Sequence, residues 1–240
     1  MNHARNYPIR AVLFDLDDTL WPIVPVIVRA ETLLFDWLSE HAPKVSARYT
    51  IASLRSHRSQ LMKDQPALAF DLTALRLNSL CEIFDLCGED KSKLNQAMTL
   101  FSHARNQVTP YEDVLECLPK LSSKLILGSL TNGGADLQAI GMAHHFQVSL
   151  AAHQLGCAKP DPKIFNAACE ALQLPPEQVA YVGDDLRLDV EGAQKAGLTG
   201  IWLNREQKPI NEDCAHIRPD AILRTLHELD DWLTTNTAQA

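Results

Sequence analysis

Six aspartates stand in two short runs: Asp15, Asp17 and Asp18 in Phe14-Asp15-Leu16-Asp17-Asp18-Thr19-Leu20, and Asp184, Asp185 and Asp189 in Val182-Gly183-Asp184-Asp185-Leu186-Arg187-Leu188-Asp189. Carboxylates this close repel one another unless a cation or a shared proton offsets them, so each run is either a hard-cation site or a solvated acidic turn. A carboxylate can also serve as a nucleophile, with a second one beside it as general acid and base. Two further segments add the opposite chemistry. Ser129-Leu130-Thr131-Asn132-Gly133-Gly134 offers a hydroxyl, an amide and glycine-exposed N–H groups suited to an anion, although Asn-Gly turns are common in any fold. Cys157-Ala158-Lys159-Pro160-Asp161 sets a lysine just before a predicted helix, where a plain surface lysine is the simpler reading.

The elements that must position these segments give the pattern its weight. Short apolar runs at Ala11 to Phe14, Leu125 to Leu127, Val179 to Val182 and Gly200 to Leu203 are apolar on both faces and separated by stretches of helical period. That alternation predicts a parallel sheet covered by helices on both sides, a three-layer α/β core. Ligands of such sheets bind at the carboxyl ends of the strands, where the Asp15, Thr131 and Asp184 segments fall. Asp161 to Leu172 reads as a crossover helix, with Ile164, Phe165, Ala168 and Leu172 on one face and Pro175-Pro176 ending it. Between the first and second strands, however, Pro22 to Arg105 spans 84 residues, whereas a βαβ connection needs about a dozen. Helical periods over Val28 to Leu38, Leu72 to Phe84 and Leu94 to Phe101 predict an inserted all-helical domain at 22–105, leaving 1–21 and 106–240 as the core.

Composition narrows the partners. The 240 residues are 46% hydrophobic and 22% charged, ordinary globular usage, with 22 Lys plus Arg against 30 Asp plus Glu for a net charge of −8. Such a field repels nucleic-acid backbones and anionic lipid, so neither is expected as a partner, and a phosphate ligand would need local positive charge. The longest nearly apolar stretch, Ile23 to Val28, contains Pro25 and falls far short of the roughly 20 residues of a spanning helix. The opening residues carry no apolar signal region, so a cytoplasmic location is expected. Six scattered cysteines without a C-x-x-C pair read as free thiols, and His144, His145 and His153 match no metal-ligand spacing.

The order of these segments is what resembles a known family. Asp15-x-Asp17-x-Thr19, then Thr131, then Lys159, then Gly183-Asp184 with Asp189, is similar to the motif series of the haloacid dehalogenase superfamily in its phosphatase branch. The stretches FDLDDTLW, TNGGADL, CAKPDPKIF and YVGDDLRLDVEGAQKAG further resemble a bacterial subgroup of flavin-mononucleotide-phosphatase-like enzymes. The resemblance implies a Rossmann-like core with the helical insert as a mobile cap that closes over the site and selects the leaving group. It implies a hydrolase for a small phosphate ester such as FMN, a nucleotide or a sugar phosphate. Asp15 is then the nucleophile that forms an aspartyl-phosphate, and Asp17 the general acid and base. Mg2+ is implied on the Asp15 and Asp184 carboxylates and the Asp17 carbonyl, with Thr131, Asn132 and Lys159 around the phosphate.

Asp185 and Asp189 are expected to support from behind, orienting ligated water or holding Lys159, and Asp18 to point outward or cap its turn. Placing Lys159 from a loop would suit a cis bond to Pro160, the residue that tolerates one at small cost. Trp21, Asp71 and Arg76 are candidate substrate or cap contacts, each with a structural alternative: core packing for Trp21 and a surface ion pair for Arg76. Sugar-phosphate phosphomutase, 2-haloacid dehalogenase and an inactive binding relative are the competing readings. Dehalogenases of this family need neither a cation nor the second aspartate, and here Asp17 and Asp184 are both present. No feature of the sequence speaks to oligomeric state.

Overall fold

A computed structural model describes residues 8–237, which form two compact units. The first comprises the chain up to Trp21, Pro110–Asn132 and the chain from Gly141 onward. Its centre is a six-stranded, wholly parallel sheet of β1 (Ala11–Phe14), β2 (Ile126–Thr131), β3 (Val148–Ala151), β4 (Val179–Gly183), β5 (Thr199–Leu203) and β6 (Ala221–Leu223). The spatial order is β3-β2-β1-β4-β5-β6, a Rossmann-like α/β fold. Every residue of β1, β4 and β5 is buried, as strands covered on both faces must be.

The chain builds outward from β1 to one edge, then returns to β1's other side to start β4. This reversal opens a crevice at the carboxyl ends of the central strands. Register sets what meets there. Phe14 pairs with Ser129 of β2 and Val182 of β4, and the Asp15 N–H donates to the Val182 carbonyl at 2.9 Å. The residues that follow these three strands therefore leave the sheet at one level. The edge strands β3 and β6 were not legible as strands, because each is short and only partly buried.

The second unit spans Pro22–Thr109 together with Gly133–Ile140. It holds α1 (Ile23–His41), α2 (Ile51–Asp64), α3 (Leu72–Cys87) and α4 (Leu94–Arg105). Leu34, Leu38, Ile83, Phe84, Ala97 and Phe101 form its core. Its edge lies a few residues beyond the 105 expected from periodicity. It also takes in 133–140, tied on where Asn106 Oδ1 accepts the Asp136 N–H at 3.0 Å. The periodicity misses α2, whose buried residues are just Leu54 and Leu61, so no apolar stripe marks it. A local signal does exist: Thr50 and Ser53 form a reciprocal capping box. Among the described residues no helix is long and apolar enough to cross a membrane.

In the core unit, α5 (Glu112–Ser122), α6 (Pro162–Leu172) and α7 (Leu226–Thr237) are the longer helices. The predicted α6 is present. Asp161 caps it by accepting the Lys163 N–H, Pro162 starts it, and Ile164, Phe165, Ala168 and Leu172 are buried. The six cysteines are free.

Candidate active site

The loop leaving β1 is held by its own backbone. Asp18 adopts a left-handed φ of 60°, its N–H donates to the Trp21 carbonyl at 2.7 Å, and the Leu20 N–H donates to the Leu16 carbonyl at 2.8 Å. Asparagine and aspartate accept this conformation more readily than most side chains. The turn brings Trp21 back to Asp17, whose Oδ1 accepts the indole Nε1–H at 2.8 Å. Trp21 is fully buried, so it packs the core unit and orients Asp17.

Lys159 is the hub. Its side chain is 3% exposed, and Nζ donates to Asp15 Oδ1 at 2.6 Å, Asp189 Oδ1 at 2.6 Å and the Tyr181 hydroxyl at 2.9 Å. The Tyr181 hydroxyl in turn donates to the Leu130 carbonyl at 2.7 Å. The backbone of Lys159 is clamped by one side chain: Asn132 Nδ2 donates to its carbonyl at 3.0 Å while Asn132 Oδ1 accepts its N–H at 2.8 Å. The Lys159-Pro160 peptide bond is cis. All three ammonium protons are committed, which holds Lys159 in one position.

The segment after β4 supplies the facing carboxylates. Asp184 Oδ1 accepts the Thr19 hydroxyl at 3.3 Å, and its carbonyl accepts Trp202 Nε1–H at 2.7 Å. Asp185 caps the turn that follows, its Oδ1 accepting the Arg187 and Leu188 N–H groups at 2.8 Å. That turn, Leu186–Glu191, is a wide π-helical one that carries Asp189 back under the strand end. Gly183 is required there: a Cβ would sit 2.3 Å from the Asp189 carboxyl carbon. Both Asp189 oxygens are in use, Oδ1 on Lys159 and Oδ2 on the Asp185 N–H at 2.9 Å.

A carboxylate oxygen from each of Asp15, Asp184 and Asp189 lies within 4.8 Å of the other two. Three carboxylates face one ammonium, so the cluster is short of positive charge. Burial, with Asp189 and Asp184 adding to it, raises the Asp15 pKa to about 8 despite Lys159. Burial and the Asp189 and Asp18 charges raise Asp184 to about 7. Lys159 itself is held protonated: burial opposes its charge, but Asp15 and Asp189 lift its pKa well above the ordinary value. A compact, all-oxygen, over-negative donor set fits a hard divalent cation such as Mg2+.

Other sequence candidates do structural work within the helical unit. Asp71 caps α3 by accepting the Ala74 N–H at 2.8 Å. Arg76 is 9% exposed, paired with Glu31 and stacked 3.6 Å over the Phe101 ring, a buried ion pair rather than a surface one. Sequence reasoning missed three residues that set the site. Tyr181 and Trp202 read as strand apolars, though a phenol or an indole N–H inside a buried strand must find a polar partner. Arg205 lies beyond β5, where its Nε donates to the Thr19 carbonyl at 2.9 Å and its Nη1 to both Asp113 oxygens at 3.1 and 3.0 Å.

A family model for haloacid dehalogenase-like hydrolases matches residues 9–197. The chain belongs to this family of hydrolases. Among curated relatives of this haloacid dehalogenase-like hydrolase is the 5-amino-6-(5-phospho-D-ribitylamino)uracil phosphatase YigB of Escherichia coli, 30% identical over 202 residues, or 82% of this chain and 84% of that protein. A phosphoserine phosphatase of Thermus thermophilus is 27% identical over 92% of this chain and 98% of its own length. A solved structure described as a 2-haloacid dehalogenase from Pseudomonas syringae pv. Tomato superposes with a TM-score of 0.88 at 35% identity, over 95% of this chain and 99% of that one.

Proposed function

We propose that this hydrolase is a Mg2+-dependent phosphomonoesterase working through an aspartyl-phosphate, with a phosphorylated ribityl compound as the first substrate class to test. The observation that carries the reading is the grouping of Asp15, Asp184 and Asp189 oxygens within 4.8 Å beside a single lysine. An acidic hollow of that kind is costly for an empty binding module and suits a cation and a phosphate together.

In this reading an Asp15 oxygen attacks phosphorus and the P–O bond to the leaving alcohol breaks. Asp17 gives that alkoxide a proton. Water then attacks the phosphorus of the acyl phosphate, Asp17 takes the proton back, and inorganic phosphate leaves with Asp15 restored. The Thr131 hydroxyl and the Asn132 N–H hold the non-bridging oxygens, and the Lys159 ammonium, kept in place by Asp15, Asp189 and Tyr181, offsets their charge. Asp15, Asp184 and the Asp17 carbonyl would hold Mg2+, which when bound would neutralise phosphate charge. Asp189 supports Lys159, and Asp185 supports the turn that carries Asp189; with both its oxygens bonded, Asp189 is a prop for the site. The inserted helical unit acts as the cap that excludes water.

Two phosphatases among the relatives support the phosphoester class, and the name of the Escherichia coli relative supports the ribityl phosphate, a group that FMN also carries. The dehalogenase neighbour favours a second reading, attack of Asp15 on a carbon bearing a halide. That reaction has no use for a proton donor at Asp17 or a cation at Asp184. The test is a panel of ribitylaminouracil phosphate, FMN, nucleotides, sugar phosphates, phosphoserine, an aryl phosphate and 2-chloropropionate, with Mg2+, with EDTA, and with Asp15→Asn. Release of phosphate from several members, its loss in EDTA and a fall of at least about 10³-fold in Asp15→Asn are expected. Halide release from 2-chloropropionate in EDTA, with no phosphate release, overturns the proposal in favour of the second reading.

A further inference from the structure

The helical unit buries a second charged group that no step above uses. Glu31 of α1 is 4% exposed and receives three guanidinium groups: Arg55 through Nε, Arg58 Nη2 at 2.9 Å and Arg76 Nη1 at 3.5 Å. One carboxylate against three guanidiniums leaves two positive charges over, in a chain whose net charge is −8. Glu82 is half exposed and faces His57 Nε2 at 3.5 Å, while His57 Nδ1 bonds the buried Ser79 hydroxyl at 2.9 Å.

Arg76 is the least compensated of the three. Among the described residues its sole hydrogen bond is the 3.5 Å contact to a Glu31 oxygen that Arg58 already holds more closely. Its flat face is taken by Phe101, which leaves the N–H edge of the fork to meet a ligand. Burial and the neighbouring Arg58 push its pKa down, to about 9. Beside it lies a cavity with about 20 Å³ open to the centre of a water molecule, lined by Glu31, Arg58, Arg76 and Ser79 and walled by Leu34 and Leu54. The space is small, enough for one compact group and not for a whole substrate.

We propose that this cavity is an anion site, in which Arg58 and Arg76 seat one compact oxyanionic group of the phosphate, sulfate or carboxylate kind. Two planar forks converging between apolar walls bind such a group through paired, charge-assisted hydrogen bonds, which gain strength where water is excluded. The anion balances the surplus charge left around Glu31. The site uses residues of the helical unit alone, so it stands whether or not the phosphatase reading does. Its occupant is either a free ion or the anionic end of a larger molecule.

The test uses the full chain in EDTA, where the uncompensated Asp15, Asp184 and Asp189 cluster repels anions and leaves this cavity as the site measured. Selenate is titrated calorimetrically at physiological salt into wild type, Arg58→Gln and the charge-matched Arg224→Gln, whose arginine is exposed on the core unit. One equivalent of binding is expected in wild type, weakened at least about 10-fold in Arg58→Gln and within about twofold of wild type in Arg224→Gln. Because Arg58→Gln could disturb folding, wild-type crystals soaked in selenate give an independent reading: a selenium anomalous peak beside Arg58 and Arg76. Phenylphosphonate in a parallel titration separates the sources, since its binding points to the anionic end of a larger molecule and binding of selenate alone to a free ion. Absence of the peak, or equal selenate affinity in wild type and a folded Arg58→Gln, overturns the proposal.

Discussion

Trp21 Nε1 donates to Asp17 Oδ1 at 2.8 Å, so a fully buried indole fixes the carboxyl proposed to move protons at the leaving group. Trp21→Phe keeps the buried ring and deletes the donor. A fall in kcat of about 10-fold with KM nearly unchanged is expected, because the Asp17 carboxyl loses the hydrogen bond that orients it. Asp17→Asn should cost far more, about 10²–10⁴-fold. A Trp21→Phe enzyme with lowered stability and an unchanged kcat would mean that the indole packs and does nothing else.

The lysine at the centre makes a prediction about stability as well as rate. Lys159 Nζ is bonded to Asp15 and Asp189, and removing one partner of a buried ion pair leaves uncompensated charge, at a cost of about 3–5 kcal/mol. Lys159→Met should therefore lower the urea midpoint strongly as well as abolish turnover. Adding Asp189→Asn to it removes one of the stranded charges and should recover part of that stability, a non-additivity expected for residues in direct contact. Equal midpoints for wild type and Lys159→Met would show that the network is energetically idle.

The order of chemistry-bearing segments along the chain was legible because the Asp15, Thr131 and Asp184 segments each follow a central strand, and such strands announce themselves as short apolar runs. The sheet edges and α2 were not, since Val148–Ala151, Ala221–Leu223 and Ile51–Asp64 place few residues in the core and carry little apolar signal. Within the site, the spacing of Asp15, Asp17, Lys159 and Asp184 could be read, and so could Asp189 as a support of Lys159, but the other supports could not. Asn132 clamps the Lys159 backbone across 27 residues, Trp202 holds the Asp184 carbonyl, and Arg205 reaches Thr19 across 186. Long-range hydrogen bonds of this kind have no local period. They arise only once the strands align their ends.

Arg205 shows what such a support does. Its Nε bonds the Thr19 carbonyl, its Nη1 bonds both oxygens of Asp113, and its plane lies 4.1 Å over the Tyr111 ring, while Asp113 also accepts the Leu226 N–H at 2.6 Å. The loop carrying Asp15 to Thr19 is thereby tied to the starts of α5 and α7. Arg205→Ala should lose about 2 kcal/mol or more of stability and at least about 10-fold in kcat. Arg205→Lys should rescue little of either, because an ammonium cannot span the carboxylate and the carbonyl while stacking on the ring. Full rescue by lysine, measured by denaturation and turnover side by side, would reduce the role of Arg205 to its charge.

Glu31 gives stability a pH dependence of known sign. Burial opposes its charge, but hydrogen bonds from Arg55 and Arg58, with the pull of Arg58 and Arg76, outweigh it and hold its pKa below the ordinary 4.5. A carboxyl whose pKa is lower in the folded than in the unfolded chain binds fewer protons when folded. Its stabilisation is thus complete above 4.5 and drains away as pH falls from there through the folded value. Glu31→Gln keeps the shape and removes the charge, stranding three guanidiniums at neutral pH for a cost of about 3 kcal/mol. The gap in unfolding free energy between wild type and Glu31→Gln should accordingly be constant from pH 7 down to about 5 and narrow below 4.5. Taking the difference between the two proteins cancels the titration of every other carboxylate. A gap that widened on acidification would require the folded protein to hold the Glu31 charge less well than water does, contrary to the hydrogen bonds it accepts from Arg55 and Arg58.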